Sequence, residues 1–306
     1  MKVVFMGTPA FAAPSLEYLL KNHQVLAVVT QPDRKQGRGN KLTPPVIKVR
    51  AEAAGVPVYQ PEKVSQVKDE LAALGADVFV VVAFGQILPV SVLNIPPRGC
   101  INIHGSLLPQ LRGAAPIQWS LILGQPITGV TSMYMAKGMD TGDMLIKKEL
   151  EILPEDDYGS LSERLSVLGA EALAETLTAM EAGTLVATPQ NEAEATYAPK
   201  LTRDMEQVDW NQPAAEIRNR LRGFSPDTGL YTFVRGEKLK LWAMEVRPGQ
   251  EGAVCGQVIG KDKKGFLVQT GAGALYMTQV QGVGGKRLPA GDYLRGHDIP
   301  VGEVLE

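Results

Sequence analysis

Histidine is scarce in this chain, with three residues in 306, and cysteine scarcer still, with Cys100 and Cys255 alone. Two thiols cannot build a disulfide framework, so the fold must rest on a hydrophobic core, as suits a reducing cytoplasm. No stretch approaches the roughly 20 consecutive apolar residues of a membrane span. The opening MKVVFMGTPAFAAPS is broken by Gly7 and Pro9 too early for a secretory signal. These absences predict a cytoplasmic protein with no membrane partner. A net charge of −2 provides no overall basic field for nucleic acid, although cations slightly outnumber acids after Asp209. The glycine patterns of dinucleotide and phosphate loops are missing, and GTPAFA after the first apolar run matches neither. His23, His104, His297 and the two cysteines show no ligand spacing, so no metal site is expected. Ser106 lacks the flanks of a nucleophile elbow.

What is present is a regular alternation. KVVFM (Lys2–Met6), Val25–Thr30, VPVY, DVFVVVAF and GCINIH read as short buried strands. Between them lie helical segments opened by Pro14, by Thr43 before Pro44 as an N-cap, around Val67–Leu74, and by APIQWSLIL. Strands apolar throughout and separated by helices predict a mainly parallel sheet covered on both faces, a Rossmann-like α/β domain. GVTSMYMAKGMDTGDMLIKKELEI reads as two more strands around a Gly- and Asp-rich turn. Ser160 and Glu163 are expected to form a capping box for a helix that presents Leu161, Leu165, Leu168, Ala172 and Met180 and stops near Gly183. The polar, irregular run Thr188–Trp210 reads as a linker, and the short strands with frequent glycine turns beyond it as a small β-barrel or sandwich. The expected organisation is therefore a catalytic domain over 1–187, a linker over 188–208 and a C-terminal β-domain over 209–306.

Chemistry concentrates at strand ends, where open parallel sheets place their sites. Asn102 and His104 are two apart on one strand, so both side chains aim to the same face. An amide beside an imidazole can stabilise a developing oxyanion; equally, the two can be hydrogen-bonded polar residues closing a strand. The turn MDTGD carries Asp140 and Asp143, which suits either a self-capping turn or a carboxylate that compensates an imidazolium. Gln31–Thr43 holds Arg34, Lys35, Arg38 and Lys41 against one acid, Asp33. It is either a solvated loop or a contact for a phosphate-rich substrate. Cys100 and Cys255 read as core residues.

Asn102-x-His104 followed by SLLP, with Asp140 thirty-six positions past His104 in a D-x-G turn, resembles the 10-formyltetrahydrofolate-dependent formyltransferases. FMGTPAFA, TQPDR…GRG…L, AFGQILP, INIHGSLLPQLRGAAPIQW, MDTGDML and LRGH are similar, in order and spacing, to members acting on charged initiator tRNA. The likeness covers essentially the whole chain. One departure is MAKGMD, where relatives usually carry an acidic residue near Ala136; it lies outside the three catalytic positions.

The resemblance implies a catalytic trio of Asn102, His104 and Asp140. Its implied reaction moves a formyl group from 10-formyltetrahydrofolate, the co-substrate, to the methionyl amine of initiator methionyl-tRNA, with no metal. Asn102 and a protonated His104 would stabilise the tetrahedral oxyanion, and Asp140 would hold the imidazolium and assist proton movement through a water. The implied folate site comprises Phe84, Gly85, Ile87, Leu88, Ser106, Leu107, Leu108 and Pro109. Arg34, Lys35, Arg38 and Lys41 would meet the tRNA acceptor end. A C-terminal barrel of oligonucleotide-binding type would hold the tRNA backbone through residues such as Lys286 and Arg287. The protein is expected to be monomeric. Three alternatives stay open on sequence: a sugar-nucleotide formyltransferase with the same trio, a folate hydrolase releasing formate, and a non-catalytic RNA-binding module.

Overall fold

Four consecutive apolar side chains in Lys2–Gly7 divide by parity: Val3 and Phe5 enter one buried cluster, Val4 and Met6 another. A strand buried on both faces must lie inside a doubly covered sheet. The computed structural model describes residues 1–36 and 41–306, and its chain clusters into two units. The first comprises Met1–Pro116, Ile127–Glu151 and Ser162–Ala198; the second comprises Ile117–Pro126, Ile152–Leu161 and Pro199–Glu306.

In chain order the elements are β1 (Lys2–Gly7), α1 (Ala13–Asn22), β2 (Gln24–Val29), the paired β3 (Arg34–Gln36) and β4 (Lys41–Thr43), α2 (Val46–Ala53) and β5 (Val58–Tyr59). Then come α3 (Lys68–Ala73), β6 (Val78–Val82), α4 (Val90–Leu93), β7 (Cys100–His104), β8 (Arg112–Gly113) and α5 (Pro116–Ile122). β9 (Ile127–Tyr134), β10 (Met144–Glu151), α6 (Tyr158–Ala182) and β11 (Tyr197–Ala198) follow. The main sheet has the order β10-β9-β7-β6-β1-β2-β5. Its members β7, β6, β1, β2 and β5 run parallel, whereas β9 is antiparallel to β7 and β10 to β9. The parallel part therefore ends at β7, and the strand that carries Asn102 and His104 lies where the sheet changes direction.

Two helix starts differ from the sequence reading. Thr43 does not cap α2: its hydroxyl donates to Lys41 O at 3.2 Å, and α2 begins at Val46 after Pro45. The capping box expected at Ser160 and Glu163 sits three residues earlier. Asp157 Oδ1 accepts from Ser160 N at 3.0 Å, and Ser160 Oγ accepts from Asp157 N at 3.1 Å. A carboxylate takes the N-cap position, and the serine hydroxyl acts as the returning acceptor.

In the second unit α7 (Ala214–Phe224), β12 (Leu230–Val234), β13 (Glu237–Arg247), β14 (Val258–Lys261), β15 (Phe266–Gln269), β16 (Ala274–Gln281) and β17 (Leu288–Pro289) enclose one core. The antiparallel order is β12-β13-β16-β15-β14. The C-terminal tail closes it: Val258 N donates to Glu303 O and Leu305 N to Gly256 O on the β14 side, while Phe233 and Glu306 exchange both backbone bonds on the β12 side. With Leu305 buried in the core, this is a closed small barrel without a free strand edge there. Among the described residues no helix is long and apolar enough to cross a membrane.

Candidate active site

The loops leaving β1, β2 and β6 are tied together at the carboxyl end of the sheet. Thr8 Oγ1 donates to Phe84 O at 2.9 Å, and Gln31 Nε2 donates to the same carbonyl at 3.2 Å. Beside them β7 ends in Asn102 and His104. Strand parity sends Ile101 and Ile103 into the core shared with β1 and α6, leaving the two polar residues on the opposite side. The Asn102 side chain is half-buried and makes no hydrogen bond among the described residues.

His104 is buried, and Nε2 lies 2.9 Å from Leu111 O. A carbonyl only accepts, so Nε2 carries the hydrogen and Nδ1 is the nitrogen free to gain or lose one. Nδ1 faces Asp140 Oδ2 at 3.7 Å, close enough for charge attraction but too long for a direct hydrogen bond. The same Oδ2 accepts from Gly113 N at 2.8 Å. Asp140 has φ +52° and Leu111 φ +57°, left-handed conformations that a residue with a Cβ adopts rarely. Asp143 contributes its carbonyl to Tyr134 N at 2.9 Å, closing the turn after β9.

Sequence reasoning missed the group behind this pair. The Arg112 side chain is 0% exposed and pairs both Nη atoms with the Glu192 carboxylate at 2.8 and 2.9 Å. Its Nε donates to Gln190 Oε1 at 2.9 Å, and Gln190 Nε2 donates to Asp140 O and Gly142 O, each at 2.7 Å. Hydrogen bonds from Arg112 hold the Glu192 carboxyl below the usual carboxylate range, and those bonds also raise the Arg112 guanidinium. The only hint in the sequence was an arginine inside the apolar run LLPQLRGAAP; Gln190 and Glu192 fall in the stretch read as linker. The structure clusters that stretch with the first unit as far as Ala198, where β11 pairs with β8.

The residues expected at the folate site divide in two. Phe84, Leu88 and Leu108 are buried in the protein core, so what they leave for a ligand is backbone. Ile87 is 84% exposed, and Gly85 is exposed with φ +82°. The Ser106 hydroxyl donates to Gln110 O at 2.6 Å and its carbonyl accepts from Thr131 Oγ1, so this residue shapes the Leu107–Pro109 turn from within. Arg34, Lys35 and Lys41 are exposed on β3 and β4, and Arg34 donates to Gln31 at 3.3 Å. Arg38 lies outside the described residues. In the second unit Lys286 is exposed, while Arg287 stacks 3.2 Å over the Trp242 ring and donates to Pro226 O. Cys100 is buried, and burial pushes its thiol up to about 12. Among the described residues no group of three or more His, Cys, Asp or Glu could hold a metal ion.

An unengaged amide, an imidazole with one free nitrogen and a nearby carboxylate meet beside the end of β7, an arrangement with the donors that acyl-type group transfer requires. The chain belongs to the formyl transferase family: the formyl transferase model matches residues 1–177 and the formyl transferase C-terminal domain model matches 200–298. The methionyl-tRNA formyltransferase of Geotalea daltonii is 47% identical over 308 residues, covering 100% of this chain and 98% of that protein. That of Caldanaerobacter subterraneus is 46% identical over 310 residues, covering all of both. Among solved structures, an N-formyltransferase from Helicobacter canadensis with folinic acid and dTDP-3-aminofucose has a TM-score of 0.70 at 19% identity, over 90% of this chain and 98% of that one. HypX from Aquifex aeolicus in complex with tetrahydrofolic acid has a TM-score of 0.65 at 18% identity, over 96% of this chain. This chain spans about half of HypX, 47% of its length. At such identities the two structures speak for the fold alone.

Proposed function

We infer that this enzyme transfers the formyl group of 10-formyltetrahydrofolate to the amino group of initiator methionyl-tRNA. The observation that carries the inference is the full-length identity of about 47% to proteins with that activity in their names, joined to the open Asn102 amide beside His104. The folate supplies an activated formyl carbon bonded to nitrogen. The exposed Ile87 side chain and the backbone groups around Gly85 and Leu107–Pro109 fit a flat, amide-rich ring system, with apolar contact on its face and hydrogen bonds at its edge.

When the methionyl nitrogen bonds to the formyl carbon, negative charge develops on the formyl oxygen. Asn102 Nδ2 and a protonated His104 Nδ1 would donate to it. Leu111 O fixes the ring through Nε2, so proton exchange is confined to Nδ1. A water beside the 3.7 Å pair could hydrogen-bond both Nδ1 and Asp140 Oδ2. Through it the carboxylate would take the proton lost by the amine. The bond between formyl carbon and folate nitrogen then breaks, and that nitrogen receives a proton, leaving tetrahydrofolate and the formylated amine.

The test is direct. Incubation with 10-formyltetrahydrofolate and charged initiator tRNA should yield formyl-methionine on the tRNA. Free formate instead would mark a hydrolase, and formylation of a dTDP-amino sugar in place of tRNA would move the enzyme to the sugar-modifying branch.

A further inference from the structure

One tripeptide reaches the reacting pair from three directions. Leu111 O accepts from His104 Nε2, Gly113 N donates to Asp140 Oδ2, and the Arg112 side chain between them reaches the Asp140 backbone through Gln190. We propose that Arg112, Gln190 and Glu192 are positioning residues that hold the Asp140 backbone in its left-handed conformation and so set the carboxylate opposite His104. The proposal rests on the reading of His104 and Asp140 as the reacting pair.

The chemistry of each member fits that role. Gln190 Nε2 satisfies two carbonyls two residues apart, Asp140 O and Gly142 O, which fixes both ends of the turn at once. Arg112 Nε can only donate, so it takes the amide oxygen and thereby orients the nitrogen toward the turn. A buried guanidinium is strongly disfavoured unless paired, and Glu192 engages both remaining nitrogens. Lysine has the charge but not the planar fork, so it cannot hold Gln190 and Glu192 in one plane. The side-chain hydrogen bonds of the three reach one another, Asp140 O and Gly142 O, so their link to the pair runs through the Asp140 turn.

The experiment compares Gln190→Ala, Gln190→Glu and Arg112→Lys with the unmodified full-length enzyme in the tRNA formylation assay. Gln190→Glu keeps the size and the acceptor for Arg112 but loses the two donated bonds. Both Gln190 variants should lower kcat by about 10- to 100-fold while KM for folate and for tRNA stays within about threefold, the mark of misplaced reacting groups. Gln190→Ala placed on Asp140→Ala should cause no further loss, because the carboxylate it positions is already gone. Should Gln190→Ala not fold, Glu192→Gln, at a side chain 69% exposed, carries the same measurement with a loss of about tenfold. A folded Gln190 variant with kcat within twofold of the parent, or losses that multiply in the double variant, overturns the proposal. His104→Ala is run alongside: if it abolishes transfer while Gln190→Ala is silent, only the positioning role fails. If His104→Ala remains active, the reading of the reacting pair fails and the proposal falls with it.

Discussion

His104 commits Nε2 to Leu111 O, which leaves Nδ1, 3.7 Å from Asp140 Oδ2, as the ring nitrogen open to a substrate. His104→Ala should therefore lower kcat by about 10²–10⁴-fold with folate affinity retained, measured by turnover and equilibrium binding. With the oxyanion role proposed for its amide, Asn102→Ala should lose about 10²–10³-fold in kcat. Asp140→Asn keeps an oxygen for Gly113 N but turns an uncharged amide toward the ring, so kcat should fall while the thermal midpoint moves little. Near-parental turnover in any of the three would remove that residue from the chemistry. These positions were legible in the sequence because strand parity and a glycine turn place them by local rules. Arg112 and Gln190 were not, because their contact joins residues 78 positions apart: the motif around Arg112 does not show its partner, and Gln190 falls in the stretch read as linker.

At the scale of elements, β8 shows how little secondary structure a site needs. Its two residues pair with β11, and Gly113 has φ +120° with space for a Cβ denied by Ala198 O at 2.7 Å. Gly113→Ala must break that pairing or twist the N–H away from Asp140. The strain is of order 1–3 kcal/mol, and kcat should drop together with the thermal midpoint. A variant with parental turnover would show that the Gly113 bond is dispensable. The alternation of strands and helices was readable because continuous apolar runs report burial on both faces. Helix starts were less so: Thr-Pro and Ser-x-x-Glu both looked like caps, yet Asp157 took the one and a proline the other. Local patterns propose several caps, and tertiary packing selects among them. Asp157→Ala should cost about 0.5–2 kcal/mol in denaturant unfolding, whereas Glu163→Ala should be close to neutral.

At the scale of the molecule, the second unit is not simply the end of the chain. It gathers Ile117–Pro126 and Ile152–Leu161 as well as Pro199–Glu306, so no single cut separates the units. Ile122 packs against the second unit's core, and Arg222 donates to Leu153 O and Asp156 O, each at 2.6 Å. A fragment ending at Ala198 keeps these two segments without their partners. It should bind the dye ANS and unfold well below the full chain; a cooperative, dye-silent fragment would show the first unit to be self-sufficient.

If the barrel meets the tRNA backbone, Lys286 and Arg287 should differ despite being neighbours. Arg287 already covers Trp242 and donates to Pro226 O, so its removal disturbs packing as well as charge. Lys286 is exposed and has no ion pair among the described residues. Lys286→Ala should leave the thermal midpoint unchanged and weaken tRNA binding. A phosphate contact also displaces counterions, so the slope of log affinity against log salt should become shallower by about 0.7–0.9. Arg287→Ala should lower the midpoint in addition. Binding measured across a salt series separates the two, since a shift in affinity at constant slope would point to lost structure rather than a lost phosphate contact. An unchanged affinity and slope for Lys286→Ala would place the tRNA away from this edge of the barrel.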